Sequence, residues 1–167
     1  MLKFAFTIKG PVAIRYPKGK VFNLLKLDRA PIQYRKSEVI CEGKDGAILA
    51  VGKMVEFATV IVENLKKEGI ELSLINPRFI KPIDEEMIFE VCNKHNFIFT
   101  MEDNVATGGF GSNVMQILAK HNMNIPIKIF AFPDQFIEHG SCSELYKKYH
   151  LDIESMQKAI KKTLIEG

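Results

Sequence analysis

From Ala47 onward the chain alternates between short, mostly apolar runs and longer stretches in which apolar residues return every three or four positions. Ala47-Ile48-Leu49-Ala50-Val51 is unbroken and Phe97 to Met101 lacks polar alternation, as strands do when both faces are covered, and Ile70 to Ile75 and Ile127 to Ala131 read as further strands. After Gly52, the residues Val55, Ala58, Val62 and Leu65 give one helical face; Val114, Met115, Ile117 and Leu118 give another after Gly111. The helix ends are written in the sequence too. Lys66 and Lys67 suit the negative end of a helix dipole, and Gly69 suits a left-handed cap. Asp84 reads as an N-cap, with Ile83 and Ile88 as a hydrophobic staple, for a helix to about Asn93. Ser141-Cys142-Ser143-Glu144 has capping-box spacing before a short helix through about Tyr149, and Leu151-Asp152 repeats the staple and cap with Met156 for a helix to about Leu164. Strands alternating with helices predict an α/β fold: a doubly wound, mostly parallel sheet with helices on both faces.

The first third is organised differently. Leu2 to Ile8 is crowded with apolar residues and stopped by Lys9-Gly10-Pro11. Pro11-Val12-Ala13-Ile14-Arg15-Tyr16-Pro17 reads as one short strand bounded by prolines. Lys20 to Lys36 holds no period and reads as a connector. Ser37 to Glu42 reads as a strand and Gly43-Lys44-Asp45-Gly46 as a turn, so a hairpin is expected to lead into Ala47. The division is therefore 1–19, a linker at 20–36, and a domain at 37–167.

Composition narrows the class. In 167 residues, 47% apolar and 26% charged, there is room for one full core, and no apolar run approaches the roughly 20 residues that span a bilayer. The N-terminus is too broken by lysine to read as a signal peptide, which leads to a cytoplasmic placement with no membrane partner. A net charge of +3 with acids and bases interspersed gives no basis for nucleic acid as a partner. Cys41, Cys92 and Cys142 are odd in number and far apart, as expected of reduced, small buried residues. His95, His121, His139 and His150 lack ligand spacing, so no metal site is expected on this chain.

Four features could carry chemistry. Gly108-Gly109-Phe110-Gly111-Ser112, between a strand and a helix, invites a phosphate cradle, and a nucleotide-binding domain would rest on it alone. Its order is neither G-x-G-x-x-G nor a P-loop, and Glu102 and Asp103 precede it, so a tight turn with close helix packing is the expected role. Arg15 offers a planar fork of donors suited to phosphate or carboxylate, although a surface ion pair is the plainer reading. Arg78 and Lys81, on a proline-braced loop, are expected to bridge to Glu102 or Asp103. His139 could carry a proton, but no nucleophile adjoins it, and it is read as structural.

The motifs Pro11 to Gly19, Asn76-Pro77-Arg78-Phe79-Ile80-Lys81-Pro82-Ile83-Asp84, Gly108 to Ser112, and Pro133-Asp134-Gln135-Phe136-Ile137-Glu138-His139-Gly140 together resemble the C-terminal part of the 1-deoxy-D-xylulose-5-phosphate synthase family, in order and over essentially the whole chain. The resemblance implies a transketolase C-terminal domain fold and, for the complete enzyme, a thiamine-diphosphate- and magnesium-dependent transferase. That enzyme condenses pyruvate with glyceraldehyde 3-phosphate for isoprenoid, thiamine and pyridoxal synthesis. It implies that residues 1–19 are the end of a middle, pyrimidine-binding domain, with N-terminal and middle domains as partners and a homodimer as the assembly. Arg15 would contact the aldehyde's phosphate, with Tyr16 and Lys18 beside it. The family carries arginine where this chain has Lys18, which is a point charge rather than a fork. The family's diphosphate-binding motif and activating glutamate are not in this sequence. The chain alone is therefore expected to hold no catalytic or cofactor-binding residue and to be inactive. A noncatalytic dimerisation module, or the C-terminal half of a split transketolase-like enzyme, is the alternative.

Overall fold

The computed structural model describes residues 1–16 and 29–166. Lys18, the boundary at residue 19 and the linker positions 20–28 lie outside the described residues.

After a one-turn helix α1 (Leu2–Ala5) come β1 (Glu38–Cys41), β2 (Gly46–Ala50), α2 (Met54–Lys67), β3 (Leu72–Asn76), α3 (Glu85–Lys94), β4 (Ile98–Val105), α4 (Phe110–Lys120), β5 (Ile127–Phe132), α5 (Cys142–Lys148) and α6 (Ile153–Glu166). The strands form one sheet in the order β1-β3-β2-β4-β5. All neighbours are parallel except β1, which runs antiparallel to β3. The period of two divides each central strand between two cores. Ile48, Leu72, Leu74, Phe99 and Met101 face α2, α5 and α6, while Ala47, Leu49, Ile75 and Ile98 face α3 and α4. Burial on both faces is why β2 carries no polar side chain and the start of β4 no polar alternation.

The predicted caps are present. Asp84 accepts from the backbone N–H of Met87, Ser141 and Glu144 form the reciprocal capping box, and Asp152 accepts from Ser155 N–H. Gly69 takes φ +84° just beyond α2. Two expectations fail. No hairpin joins β1 to β2, because β3 lies between them. The turn wraps across the start of β3: Lys44 and Asp45 N–H donate to Glu71 O and Gly43 N–H to Ser73 Oγ, so the strands leave it on opposite sides of a third. A Cβ at Gly43 would lie 2.4 Å from the Glu71 carbonyl oxygen, a crossing closed to any larger residue.

The second failure is the strand at Pro11 to Pro17. Its described part, residues 11–16, is irregular and joins no sheet. Pro11 lacks a donor and Gly10 turns the chain at φ +129°, so the segment runs over the end of the sheet instead of along its edge. Residues 29–36 are tied to the domain: Arg29 pairs with Glu38, and Tyr34 packs edge-on to Phe79 with centroids 5.8 Å apart. No described helix is long and apolar enough to cross a membrane.

Candidate functional site

From β2 the chain moves outward to β3, then returns across the sheet to β4, so strand order reverses between β2 and β4. Carboxyl ends of parallel strands at such a reversal leave a crevice where α/β proteins meet ligands. Here it is a cleft of about 760 Å³, lined by Val51, Gly52 and Lys53 after β2, Asn76 at the end of β3, and Glu102 to Asn104 in β4. Residues 11–16 cover its mouth. Arg15, exposed, donates from Nη2 to the Asp103 carbonyl at 2.8 Å, and Tyr16 beside it is 81% exposed. Arg15 thus reaches the strand ends although the strand expected to carry it does not form.

The glycine loop is closed to an outside anion because the chain supplies its own. Glu102, 2% exposed, receives Phe110 N–H at 2.7 Å and Gly111 N–H at 2.8 Å, one on each carboxylate oxygen. Those are first-turn donors of α4, which a phosphate would otherwise take. Two glycines make room for this. A Cβ at Gly109 would stand 2.5 Å from Glu102 Oε2, and one at Gly111 would stand 2.6 Å from Thr100 Oγ1 and 2.9 Å from Ile129. Ser112 turns away to Ala106 O. The signal for this arrangement is an acid at the strand end, eight residues before the helix start. Sequence reasoning saw the acid as a repellent and missed its role as the cap.

Arg78 does not bridge to Glu102 or Asp103. Its Nη2 lies 2.8 Å from Glu38 Oε1, both side chains buried, and its guanidinium also donates to Ala30 O and Pro31 O. Register explains this: Glu38 stands opposite Asn76 across the antiparallel pair, beside the loop that carries Arg78, while Glu102 is engaged by α4. Desolvation would push the Glu38 carboxyl up, but hydrogen bonding from Arg29 and the charges of Arg29 and Arg78 hold it below its ordinary value. Arg78 therefore belongs to the frame. Lys81, exposed on the same loop, has no ion-pair partner among the described residues. Cys142 is exposed, against the expectation of burial, because it opens a short surface helix; Cys41 and Cys92 are partly buried. His139 is exposed, and the loop holding it is braced next door, where Glu138 pairs with Lys148 and accepts from Tyr149 Oη at 2.7 Å.

Tyr146 packs behind Lys53, one of the residues that line the cleft, with its ring centroid 5.2 Å from the Lys53 ammonium. It is buried against Phe57 and Phe132, and desolvation together with the Asp103 carboxylate beside its hydroxyl pushes its pKa up strongly. Thiamine diphosphate, which the family resemblance brings with it, needs acceptors for a metal that bridges its diphosphate. The described residues do not fit that group: no three His, Cys, Asp or Glu side chains gather as a metal set, and the helix N-terminus at the cleft is filled by Glu102.

The family of the transketolase C-terminal domain matches residues 35–156. The chain is 43% identical over 158 residues to 1-deoxy-D-xylulose-5-phosphate synthase of Natranaerobius thermophilus, covering 93% of this chain and 25% of that protein. With the same enzyme of Clostridium tetani it is 40% identical over 167 residues, covering 98% and 26%. It therefore spans about a quarter of the length of these curated relatives. Among solved structures, a split-gene transketolase described as an inactive beta4 tetramer superposes with TM-score 0.88 at 30% identity, over 98% of this chain and 53% of that one. The transketolase of Campylobacter jejuni, at 12% identity and TM-score 0.55 over 81% of this chain and 20% of that one, shares the fold. The chain belongs to the transketolase C-terminal domain family, and within it resembles 1-deoxy-D-xylulose-5-phosphate synthase.

Proposed function

We propose that this chain is the C-terminal unit of a thiamine-diphosphate- and magnesium-dependent 1-deoxy-D-xylulose-5-phosphate synthase. The complete enzyme loses carbon dioxide from pyruvate and joins the remaining two-carbon unit to the aldehyde carbon of glyceraldehyde 3-phosphate. Residues that hold the cofactor and move protons belong to N-terminal and middle domains, of which 1–19 is the end, and the working assembly is a homodimer. This chain's share is to brace that site and to present Arg15 to the aldehyde's phosphate, with Tyr16 and Lys18 alongside. The observation that carries this is the position of Arg15: a guanidinium anchored by one bond to Asp103 O, at the mouth of a cleft at the strand reversal, with donors left for an anion.

Arg15→Ala in the complete enzyme is expected to raise KM for glyceraldehyde 3-phosphate at least about tenfold, the scale of one lost charge-assisted contact, and to leave KM for pyruvate nearly unchanged. Equal changes in both would contradict the assignment. The isolated chain, given both substrates, thiamine diphosphate and magnesium, is expected to form no product.

One observation favours a second reading, the C-terminal half of a split enzyme or a noncatalytic assembly module. It is the likeness along 98% of this chain to a split-gene transketolase whose inactive form is a tetramer of one chain type. Sedimentation of the chain alone and with the cofactor-binding half separates the readings. Stable self-association that persists in the presence of that half supports the module. A mixed complex with recovered activity supports the enzyme.

A further inference from the structure

Large apolar side chains left in water are ordinary where they are scattered, but here the most exposed ones share one end of the molecule. Among the described residues the three most exposed are Phe136 at 104%, Phe6 at 85% and Tyr16 at 81%. All three are aromatic, and all belong to the end of the sheet where the parallel strands finish. Phe136 lies in the loop that follows β5, Phe6 stands between the cleft-lining Ala5 and Ile8, and Tyr16 lines the cleft beside Arg15.

Phe136 stands apart because its loop is held on both sides of it. Pro133 to Gly140 leads from β5 to α5. Before the aromatic, Gln135 N–H donates to Pro133 O at 2.9 Å, and the Gln135 side chain donates to Tyr149 Oη at 3.4 Å. After it, Glu138 pairs with Lys148 and accepts from the same Tyr149 Oη at 2.7 Å. One hydroxyl therefore pins the residues on either side of Phe136-Ile137, as acceptor on one side and as donor on the other. Tyr149 is fixed in turn, edge-on to Phe132 at the end of β5 with centroids 5.5 Å apart. Hydrogen bonds from Lys148 and Tyr149 pull the Glu138 carboxyl down to about 2, so the clasp stays charged at any working pH. At full exposure Phe136 adds no burial to this domain, while the loop beneath it is already restrained. That combination is the form of a binding anchor: the cost of ordering is met before the partner arrives, and aromatic side chains carry a large share of interface energy.

Resting on the reading of this chain as the C-terminal unit of a larger enzyme, we propose that Phe136 is a docking anchor that enters an apolar pocket on the cofactor-binding part of that enzyme. The Gln135–Tyr149–Glu138 clasp holds the ring in the inserting position. The occupant follows from length and placement. About three quarters of the length of the curated relatives lies outside this chain. On the same reading residues 1–16 join the middle domain at this end of the sheet, which puts the cofactor-binding part, rather than a second copy of this domain, over Phe136.

The test places a trifluoromethyl-phenylalanine at position 136 of the complete enzyme and, separately, of this chain, and reads water access from fluorine relaxation by a soluble gadolinium chelate. The label is expected to be relaxed strongly in the isolated chain and at least about fivefold less in the complete enzyme, as at an interface core that excludes water. Amide exchange across residues 134–139 should likewise be about tenfold slower in the complete enzyme, and Phe136→Ala should remove most of that difference. The same substitution should leave the urea midpoint of the isolated chain unchanged, because the ring is buried against nothing there. Equal relaxation of the label in the two forms overturns the inference. So does shielding in the isolated chain that grows with its concentration, which would give the anchor to a second copy. A marked shift of the isolated chain's midpoint would make the ring part of the fold and overturn it too. Failure of the wider reading looks different: a shielded label in a complete enzyme that forms no product keeps the docking anchor and removes the assigned reaction. Product formation with an exposed label does the reverse.

Discussion

Two glycine-containing corners flank the reversal of strand order, and they treat charge in opposite ways. At the β4–α4 corner a buried carboxylate, Glu102, occupies the helix's own donors, and Gly109 and Gly111 are packed against it and its neighbours. At the β2–α2 corner a Cβ at Gly52 would meet no atom of the described residues within 4 Å, and Lys53 rests on aromatic rings with no acid paired to it among the described residues. One corner has filled its binding capacity from within the chain, and the other has left it open. A glycine-rich strand-to-helix turn is therefore no evidence of a ligand until the helix donors are accounted for. In this chain they are taken at the corner that looks most like a cradle.

The largest effect should come from breaking the closed corner. Glu102→Ala removes the acceptor of two buried N–H groups and leaves a cavity, and is expected to cost about 3 kcal/mol or more in urea unfolding. Glu102→Gln keeps one acceptor oxygen and should cost less. A loss below about 0.5 kcal/mol for the alanine variant would mean that water or another group satisfies α4, and the contrast between the corners would collapse. Gly109→Ala comes next. Its Cβ would lie 2.3 Å from Val105 O as well as against Glu102, and overpacking of this kind costs about 1–3 kcal/mol.

The same contrast shows what was legible in the sequence. Periodicity gave the four parallel strands and the helices between them, because both faces of β2, β3 and β4 are covered and each helix has a marked stripe. Short-range chemistry gave Asp84, Ser141 and Asp152 as caps, since their partners lie within three residues. What failed depended on which strands became neighbours. The hairpin before Ala47 was a sound local reading, but nothing local states that β3 enters between β1 and β2. Arg78 was matched to the wrong acid for the same reason, as Glu38 becomes its neighbour through the antiparallel register and lies 40 positions away. The site was legible in part: Arg15 stood out for its chemistry, whereas Lys53 is defined by Tyr146, which reaches it from the far end of the chain.

Near-neutral pH dependence sharpens the comparison by locating it away from both corners. His95 lies where α3 gives way to β4, at the amino ends of the strands, is 6% exposed, and leaves Nδ1 without a partner among the described residues. Burial, aided by the charge of Lys94, pulls its pKa below the ordinary 6.5. Above that value neither folded nor unfolded His95 binds a proton, so its contribution is flat. As pH falls below about 6.5 the unfolded chain takes up a proton that the folded chain refuses, and stability declines until the folded pKa is passed. His95→Gln should flatten urea midpoints between about pH 7 and 5.5, and Lys53→Met should leave that slope unchanged. A slope that follows Lys53 instead would place the titrating group in the cleft.

At the open corner, substitutions should act through conformation alone. The Cβ of Gly52→Ala meets no atom of the described residues within 4 Å, and the substitution is expected to cost about 1 kcal/mol, for the left-handed backbone only, against the steric cost at Gly109.

The smallest expected effect is on the stability of Arg15→Ala. Arg15 is exposed and bonded through one carbonyl, so its loss should change the unfolding free energy by less than about 0.5 kcal/mol, even while the same substitution changes KM for the phosphorylated aldehyde in the complete enzyme. That separation follows from how each residue is bound. Glu102 has every strong interaction inside the chain, so all of its effect appears in folding. Arg15 keeps donors for a ligand, so its effect should appear in binding. Destabilisation by Arg15→Ala comparable to that by Gly109→Ala would show that residues 11–16 are a structural strap across the cleft, and Lys53 and Lys81 would then remain as the cleft's cations with no ion-pair partner among the described residues.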